Sequence, residues 1–515
     1  MQTSRRAFVG QLSAFGLALA GIPRIPEWLR PRFPVNPFTL GIGSGDPTPD
    51  GVVLWSRLAP DPLNGGGMPD QSVTVRWEVA TDEAMRNVMR RGTAEARPDL
   101  GHSVHAEVEG LNPASWYWYR FDAGGEASPV GRTRTAPASS AVPERYRFAF
   151  VSCQHYESGY YTAYEHLADE DLSLVAHLGD YIYEGATNPA APQGTILRPH
   201  QPWEPVSLRQ YRDRYALYKS DPSLQRAHAA FPWVVTWDDH EVENNYANDI
   251  SQDEDPRDLF LMRRAAAYQA YYEHQPLRKA SIPRGPGMLL YRTVSAGRLA
   301  RFHVLDTRQY RSNQACGDGI KAPCPEWSDP ARVVLGGTQE RWLTRGIDQS
   351  PATWNVLAQQ IAFSRVPDPT RPTFHAMDPW SGYPAARDRL LAFIAERQRK
   401  NVVVLTGDIH ASFVMDVTRD ALQPESETVA TEFIGTSISS GRDGSDRWGQ
   451  LRDYETTVPN MKYHNARRGY VRCELTPESW TSDYRIVPWV MRPGAPVETA
   501  STWVVRSGVP GAVEG

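Results

Sequence analysis

The hydrophobic pattern changes character partway along the chain. From about Phe38 to Pro137, apolar residues come in short stretches bounded by Gly, Pro and Asp. Gly51-Val52-Val53-Leu54-Trp55 and Val73-Thr74-Val75-Arg76-Trp77-Glu78-Val79 are rich in β-branched and aromatic residues, the content of strands. A stretch of Ala, Ser and Pro from Thr135 to Glu144 reads as a linker. Beyond it, apolar strands are predicted at Arg147-Phe148-Ala149-Phe150-Val151, Leu172 to Leu178, Val234 to Trp237, Phe302 to Leu305 and Val402 to Leu405. Their runs do not alternate, which suits strands buried on both faces. Helical stretches fall between them, from Asp258 to His274 and from Arg387 to Arg399. Such strands separated by helices predict an α/β fold over 146–505, a layered β-sheet core flanked by helices. No internal repeat is visible.

The earlier segment, 38–137, is expected to form a small N-terminal β-sandwich. Gly110-Leu111-Asn112-Pro113 followed by Trp116-Tyr117-Trp118-Tyr119-Arg120 is similar to the tyrosine-corner segment of fibronectin-type sandwiches. There a Pro-containing turn leads into an alternating strand. Nothing catalytic is visible in this segment, so its expected part is structural or substrate-shaping.

At the start, Ser4-Arg5-Arg6-Ala7-Phe8-Val9 precedes an apolar run from Leu12 to Ala20 that ends Ala18-Leu19-Ala20. Paired arginines, a short apolar core and small residues at its end match a twin-arginine export signal. A Pro-rich linker, Pro23 to Pro37, follows, and residues 1–30 are assigned to signal and linker. The run is well short of the ~20 apolar residues of a spanning helix, which weighs against an uncleaved membrane anchor. The twin-arginine (Tat) machinery is thus an expected partner, and the expected location is periplasmic or extracellular. That route carries folded proteins, which hints at a cofactor acquired before export.

Length and charge narrow the picture. At 515 residues the chain is too long for one ordinary core, in keeping with two domains. Its 60 acidic and 55 basic side chains leave a formal charge of −5. That balance gives no long-range pull toward nucleic acid, so no specific nucleic-acid reader is expected. Cys316 and Cys324 bracket a loop rich in Gly, Pro and Asp. Their closeness permits a disulfide in an oxidising compartment, with two free thiols as the alternative. Cys473, in the strand-like run Gly469 to Leu475, reads as a buried, inert thiol.

Candidate chemistry lies where the buried strands end. The first runs into Ser152-Cys153-Gln154-His155 and the second into Gly179-Asp180-Tyr181-Ile182-Tyr183. The third runs into Asp238-Asp239-His240-Glu241, and a later one into Gly407-Asp408-Ile409-His410. In open α/β sheets ligands gather outside the carboxyl ends of the strands, so all four clusters can converge. Any one acidic pair after a strand reads as a cap or a turn. Four strand exits in series point to one site.

The series resembles the calcineurin-like metallophosphoesterase pattern of Asp-x-His, Gly-Asp-x-x-Asp, Gly-Asn-His-Glu and Gly-His-x-His. Here Cys153 stands for the first Asp, Tyr183 for the last Asp of the second element, Asp239 for the Asn and Asp408 for a His. With those departures the chain resembles the PhoD-like alkaline phosphatases. Gly41-Ile42-Gly43-Ser44-Gly45-Asp46-Pro47 through Leu54-Trp55-Ser56-Arg57 is also similar to that family, as is Trp237 through Asn245. The resemblance covers nearly the whole chain after the signal. It implies a metallophosphoesterase-type core behind a fibronectin-like sandwich. It also implies ferric iron, Fe3+, on Cys153, Asp180, Tyr183 and His410, and calcium, Ca2+, on Asp239 and Asp408 with Asp180 as bridge. Thiolate and phenolate donors favour a trivalent iron, and carboxylate oxygens suit calcium better than zinc. Other divalent metals are compatible. The plain alternatives are a small buried hydrophobe at Cys153 and a core aromatic at Tyr183.

The activity implied is hydrolysis of phosphate monoesters at alkaline pH by a metal-activated hydroxide. His240 directly follows an expected ligand, and is the candidate phosphate contact or acid for the leaving group. Asn244 and Asn245 are candidate neutral donors to phosphate, or caps of the following segment. Arg308, after another buried strand, is a candidate bidentate phosphate contact. The run Glu432 to Ser440 could line the pocket, with no role assigned. Two alternatives stand beside this reading. One is a phosphodiesterase or phospholipase D-like enzyme on the same centre, acting on phosphodiesters or phospholipids. The other is an exported metal- or phosphate-binding protein without turnover.

Overall fold

The computed structural model describes residues 33–515 apart from 193, 367–370, 372, 421, 424 and 448–457. The expected export signal, in 1–30, lies outside the described residues. Two facing β-sheets form the centre. In the first, the strand Tyr146–Val151 pairs in parallel with Leu174–His177, which pairs in parallel with Pro232–Val235. In the second, Ala300–Val304, Trp354–Ala358, Val402–Thr406 and Thr428–Ile434 are successive parallel neighbours. Five of these are the non-alternating runs of the sequence, to which the structure adds Trp354–Ala358 and Thr428–Ile434; all are buried almost throughout because both faces of each sheet are covered. One long strand, Met461–Leu475, belongs to both sheets. Ser412–Thr418 pairs with its first part, and Tyr146–Val151 with its last.

Between the sheets, Phe148, Phe150 and Val234 of the first meet Phe302, Val356, Leu405 and Phe433 of the second. Phe148 and Phe302 pack edge-on, with ring centroids 5.0 Å apart at 89°, the arrangement that the ring quadrupoles favour. The outer face of the first sheet is covered by the helices Leu208–Lys219, Pro222–Ala230 and Arg257–His274, through Tyr211, Tyr215, Leu224 and Tyr268. The helices Gly336–Asp348 and Pro384–Glu396 cover the second through Leu343, Ile347, Leu390 and Ile394. The layers thus run helix, sheet, sheet, helix, an α/β fold with its cores on either side of each sheet. Periodicity alone places the last of these helices three residues late. It begins at Pro384, which is tolerated in a first turn whose N–H groups lack partners anyway.

Toward the N-terminus, Val73–Ala80, Val88–Ala96, Trp116–Ala123, Glu126–Ala127 and Gly131–Arg134 form a separate five-stranded sheet. Its Val75, Tyr117, Tyr119 and Phe121 pack on Val52, Leu54, Val104 and Ala106 of the strands Gly51–Arg57 and Ser103–Val108, making a small sandwich. Tyr117 Oη accepts a hydrogen bond from Asn112 N at 2.8 Å, the tyrosine corner that the sequence suggests. The second layer of this sandwich is continuous with the first large sheet. Ile42–Thr48 pairs antiparallel with Gly51–Arg57 on one side and parallel with Pro232–Val235 on the other. Among the described residues, no helix is long and apolar enough to cross a membrane.

Candidate metal centre

Both sheets present the carboxyl ends of their parallel strands at one edge. Polar side chains stitch these ends together: Thr236 Oγ1 donates to Leu305 O at 2.9 Å, and Gln360 bridges Thr236 and Thr307 at 2.8 and 2.6 Å. Two glycines allow the loops to cross. A Cβ at Gly179 would lie 2.5 Å from Asp238 Cβ, and one at Gly407 would lie 2.7 Å from Ser152 Oγ. That is why each Asp of the two Gly-Asp pairs follows a glycine. The backbone is left-handed at Cys153, Asp180, Asn245, Asp408 and His410, with φ between 49° and 63°. Such conformations cost non-glycine residues of order 1–3 kcal/mol each, and they gather at functional sites where the surroundings hold them. Buried Glu241 is part of that support. Its carboxylate accepts from the backbone N–H groups of Asp238 at 2.8 Å and Asp180 at 3.2 Å, and also from Tyr181.

Donor atoms of Cys153, Asp180 and His410 lie within 4.8 Å of one another, and so do those of Asp180, Asp239 and His240. Asp180 is common to both groups. Tyr183 Oη joins the first, 2.9 Å from Asp180 Oδ2 and 3.0 Å from His410 Nε2. Asp408 leaves its strand beside them, near enough for Asp238, Asp378 and Asp239 to act on it electrostatically. Burial, followed by the neighbouring acids, lifts Asp408 well above the ordinary carboxylate range. Burial does the same to Asp180, against an opposing pull from His240. The Cys153 thiol and Tyr183 phenol are pushed well up by burial and then by Asp180, while burial holds His410 down to about 3. Anionic forms are thus disfavoured wherever no cation stands among them. Asp180 Oδ1 is buried and has no hydrogen-bond partner. Asp239 Oδ1, though 3.5 Å from Arg308 Nη2, also accepts no hydrogen bond. Buried carboxylate oxygens left open in this way, beside a thiol, a phenol and an imidazole, fit one or more bound metal ions.

His240 sits with its ring on that of Tyr183, centroids 4.2 Å apart. Its Nδ1 is 2.7 Å from Glu184 Oε2, which leaves Nε2 for a ligand. Burial opposes its charge, yet Glu184, Asp239 and Asp180 together hold it well above the ordinary imidazole range. Asn245 donates its backbone N–H to Asp239 Oδ2 at 2.7 Å. Asn244 gives its backbone N–H to Glu184 Oε1 at 2.8 Å and its amide to Gln252. Arg308, expected to contact phosphate, is placed differently. It is fully buried and spent on carboxylates: Nε donates to Asp238, and Nη1 and Nη2 form a fork on Asp378 at 2.7 and 3.0 Å. It stands behind Asp239 and holds that carboxyl well below its usual range against the effect of burial.

Several contributors receive no role from the sequence, Ser440 among them, although its run reads there as pocket lining. Ser440 Oγ lies 2.8 Å from Tyr183 Oη and 2.8 Å from Cys153 O. Arg468 donates to His410 O at 2.7 Å. Ser440 closes the run Glu432 to Ser440 at the end of the strand Thr428–Ile434, and its position at a strand exit is the signal that could have marked it. Glu184 directly follows Tyr183. Asp378 carries no local signal, because its partner Arg308 is 70 residues away.

Comparison with known proteins agrees with this geometry. The family model "PhoD-like phosphatase" matches residues 148–484, and "PhoD-like phosphatase, N-terminal domain" matches residues 26–137. The chain is similar to alkaline phosphatase D of Bacillus subtilis (strain 168), with 52% identity over 509 residues, covering 98% of this chain and 87% of that protein. It superposes on a solved structure described as the structure of PhoD with a TM-score of 0.92 at 52% identity, covering 94% of this chain and 93% of the other. The chain belongs to the PhoD-like phosphatase family, and it is a metal-dependent phosphoesterase.

Proposed function

We infer that the enzyme is exported by the twin-arginine route and hydrolyses phosphate monoesters outside the cytoplasm. In this reading Fe3+ is held by Cys153, Asp180, Tyr183 and His410, and Ca2+ by Asp180, Asp239 and Asp408. The observation that carries it is the meeting of unlike donors: thiol, carboxylate and imidazole within 4.8 Å, with a phenol bonded to the last two. Thiol and phenol suit a trivalent iron, whereas the all-carboxylate side suits a hard, oxygen-preferring ion. Asp180, common to the group of Cys153 and His410 and to that of Asp239 and His240, would serve both cations.

When bound, the cations supply positive charge to the transferring phosphoryl group and acidify the attacking water. The protein's own residues do the rest. His240, fixed at Nδ1 by Glu184, has Nε2 free to meet the leaving oxygen and deliver a proton there. The carboxamides of Asn244 and Asn245, each with one N–H given to Gln252 or Asp318, keep a second neutral N–H to offer to phosphate oxygens. Arg308 keeps Asp239 ionised and in place without meeting the substrate.

Two measurements test this reading. The first compares kcat/KM for a phosphomonoester and its matching diester on metal-replete enzyme with added calcium. A strong monoester preference supports phosphate scavenging, whereas a diester preference replaces it with a phosphodiesterase, phospholipids being the next substrates to try. In the second, Asp180→Asn is expected to lose both metal and turnover. Turnover that survives loss of metal would sink the metal-centred mechanism.

A further inference from the structure

The loop from Cys316 to Cys324 is closed by a disulfide between residues eight positions apart. It is not a remote surface staple. Asp318, within the loop, accepts hydrogen bonds on Oδ2 from Asn245 Nδ2 at 2.9 Å and from Gln252 Nε2 at 3.4 Å. Gln252 in turn accepts from Asn244 Nδ2. Since the backbone N–H of Asn245 holds Asp239 Oδ2, the shortest path from the loop to the candidate centre passes through one residue, and a longer one runs by Gln252 and Asn244 to Glu184.

The far side of the loop is anchored too. Its short strand Ile320–Lys321 pairs antiparallel with His375–Ala376, and Met377 N donates to Gly319 O at 2.9 Å. That segment leads into Asp378, the acceptor for Arg308 and Arg311. Gln314, just before the loop, links both sides by donating Nε2 to Asn245 O at 2.6 Å and to Asp378 Oδ1 at 2.7 Å. Within the loop, Cys316 and Asp318 take φ of 58° and 61°, flanked by Gly317 and Gly319. Non-glycine residues stay in that region only where surrounding structure fixes them. An open chain rich in glycine has much freedom to lose, and a cross-link removes much of it in advance.

We propose that the Cys316–Cys324 disulfide is a positioning device for the active-site cleft: closed, it holds Asp318 against Asn245, and opened, it releases both. The proposal rests on the reading of Asn245 as a donor to phosphate. Asp318 is then a positioning residue, acting through Asn245. None of the proposed metal ligands lies in the loop; Asp318 holds the side chain of Asn245, while Asp239 is held by that residue's backbone N–H, so the disulfide acts first on the side chain and hence on substrate affinity.

The test measures KM and kcat for a phosphomonoester, together with bound iron and calcium by elemental analysis. Four proteins are compared: oxidised wild type, wild type reduced with dithiothreitol, Asp318→Ala, and the double variant Cys316→Ser/Cys324→Ser. Reduction breaks the S–S bond and leaves two thiols; two electrons and two protons come from dithiothreitol, which closes to its own cyclic disulfide. KM is expected to rise about 10-fold in the last three, the scale of one hydrogen bond to a charged group, with kcat and metal content little changed. Asp318→Asn keeps an acceptor oxygen and recovers most of the affinity. The double variant ignores dithiothreitol. An unchanged KM in reduced wild type, its thiols counted by mass, and in Asp318→Ala overturns the proposal while leaving the phosphatase reading intact. An equal effect of dithiothreitol on the double variant assigns that effect to the metals and overturns it as well. Absence of turnover in oxidised wild type removes the reading of Asn245 and the proposal with it.

Discussion

Tyr183 Oη lies 3.0 Å from His410 Nε2, although 227 residues separate the two. Tyr183 follows a strand of the first sheet and His410 a strand of the second. This contact therefore spans the seam between the sheets.

Tyr183→Phe keeps the ring against His240 and removes only the hydroxyl, with its contacts to Asp180, His410 and Ser440. If the phenol binds ferric iron, the iron-loaded protein is coloured through charge transfer, and the variant loses or shifts that band. Absorption spectra beside iron content check this. An uncoloured wild type, fully active with only zinc or magnesium, would refute the iron assignment.

Arg308→Met leaves Asp238 and Asp378 buried without their cation. Breaking a buried pair from one side is expected to cost about 3–5 kcal/mol, read as a lower denaturation midpoint. Arg308→Lys restores the charge but not the two-pronged contact with Asp378, so only partial recovery is expected.

Glu241→Gln offers one acceptor oxygen, and turns an amide donor toward backbone groups that themselves donate. The loops carrying Asp180 and Asp239 lose their common tie. Metal affinity is expected to fall about 10–100-fold, as measured by titration with a competing chelator. Unchanged affinity would show that the loops hold their form without it.

Buried histidines outside the proposed donor set contribute to the acid limit. Burial holds His105 and His303 down to about 4 and His177 to about 3. Below about pH 6.5 the unfolded chain takes up protons that the folded protein refuses. Stability is therefore full above that pH and declines as pH falls toward about 4, by up to about 3 kcal/mol for His303 alone. Denaturation midpoints across this range should fall in that direction. His303→Asn is expected to be less stable near neutrality but to show a flatter acid limb.

Much of this site is legible in the sequence, because Gly-Asp and Asp-Asp-His-Glu at the ends of apolar runs are local patterns. Cys153, Asp180 and Asp239 stand where those runs stop, and the fold brings the runs to one edge. The fate of Arg308 is not legible. A strand-exit arginine looks the same whether it faces solvent or Asp378, and Asp378 lies in a loop with no periodicity to announce it. Nor does patterning separate one sheet from two. Apolar runs show that strands are covered on both faces without showing what covers them. Only the last part of Met461–Leu475 reads as a strand in the sequence, so its membership of both sheets is hidden.

That strand also sets an order of events. Tyr146–Val151 has Met461–Leu475 as its neighbour on the side away from Leu174–His177. While the chain is still emerging from the ribosome, Tyr146–Val151 is an open edge, and the sheet bearing Cys153 has no strand in common with the sheet bearing Asp408 and His410. The strand common to both sheets is made only after nearly the whole chain has been synthesised. A product terminated before Met461 lacks the join and leaves Tyr146–Val151 with an unpaired edge, a template on which a strand of another chain can add.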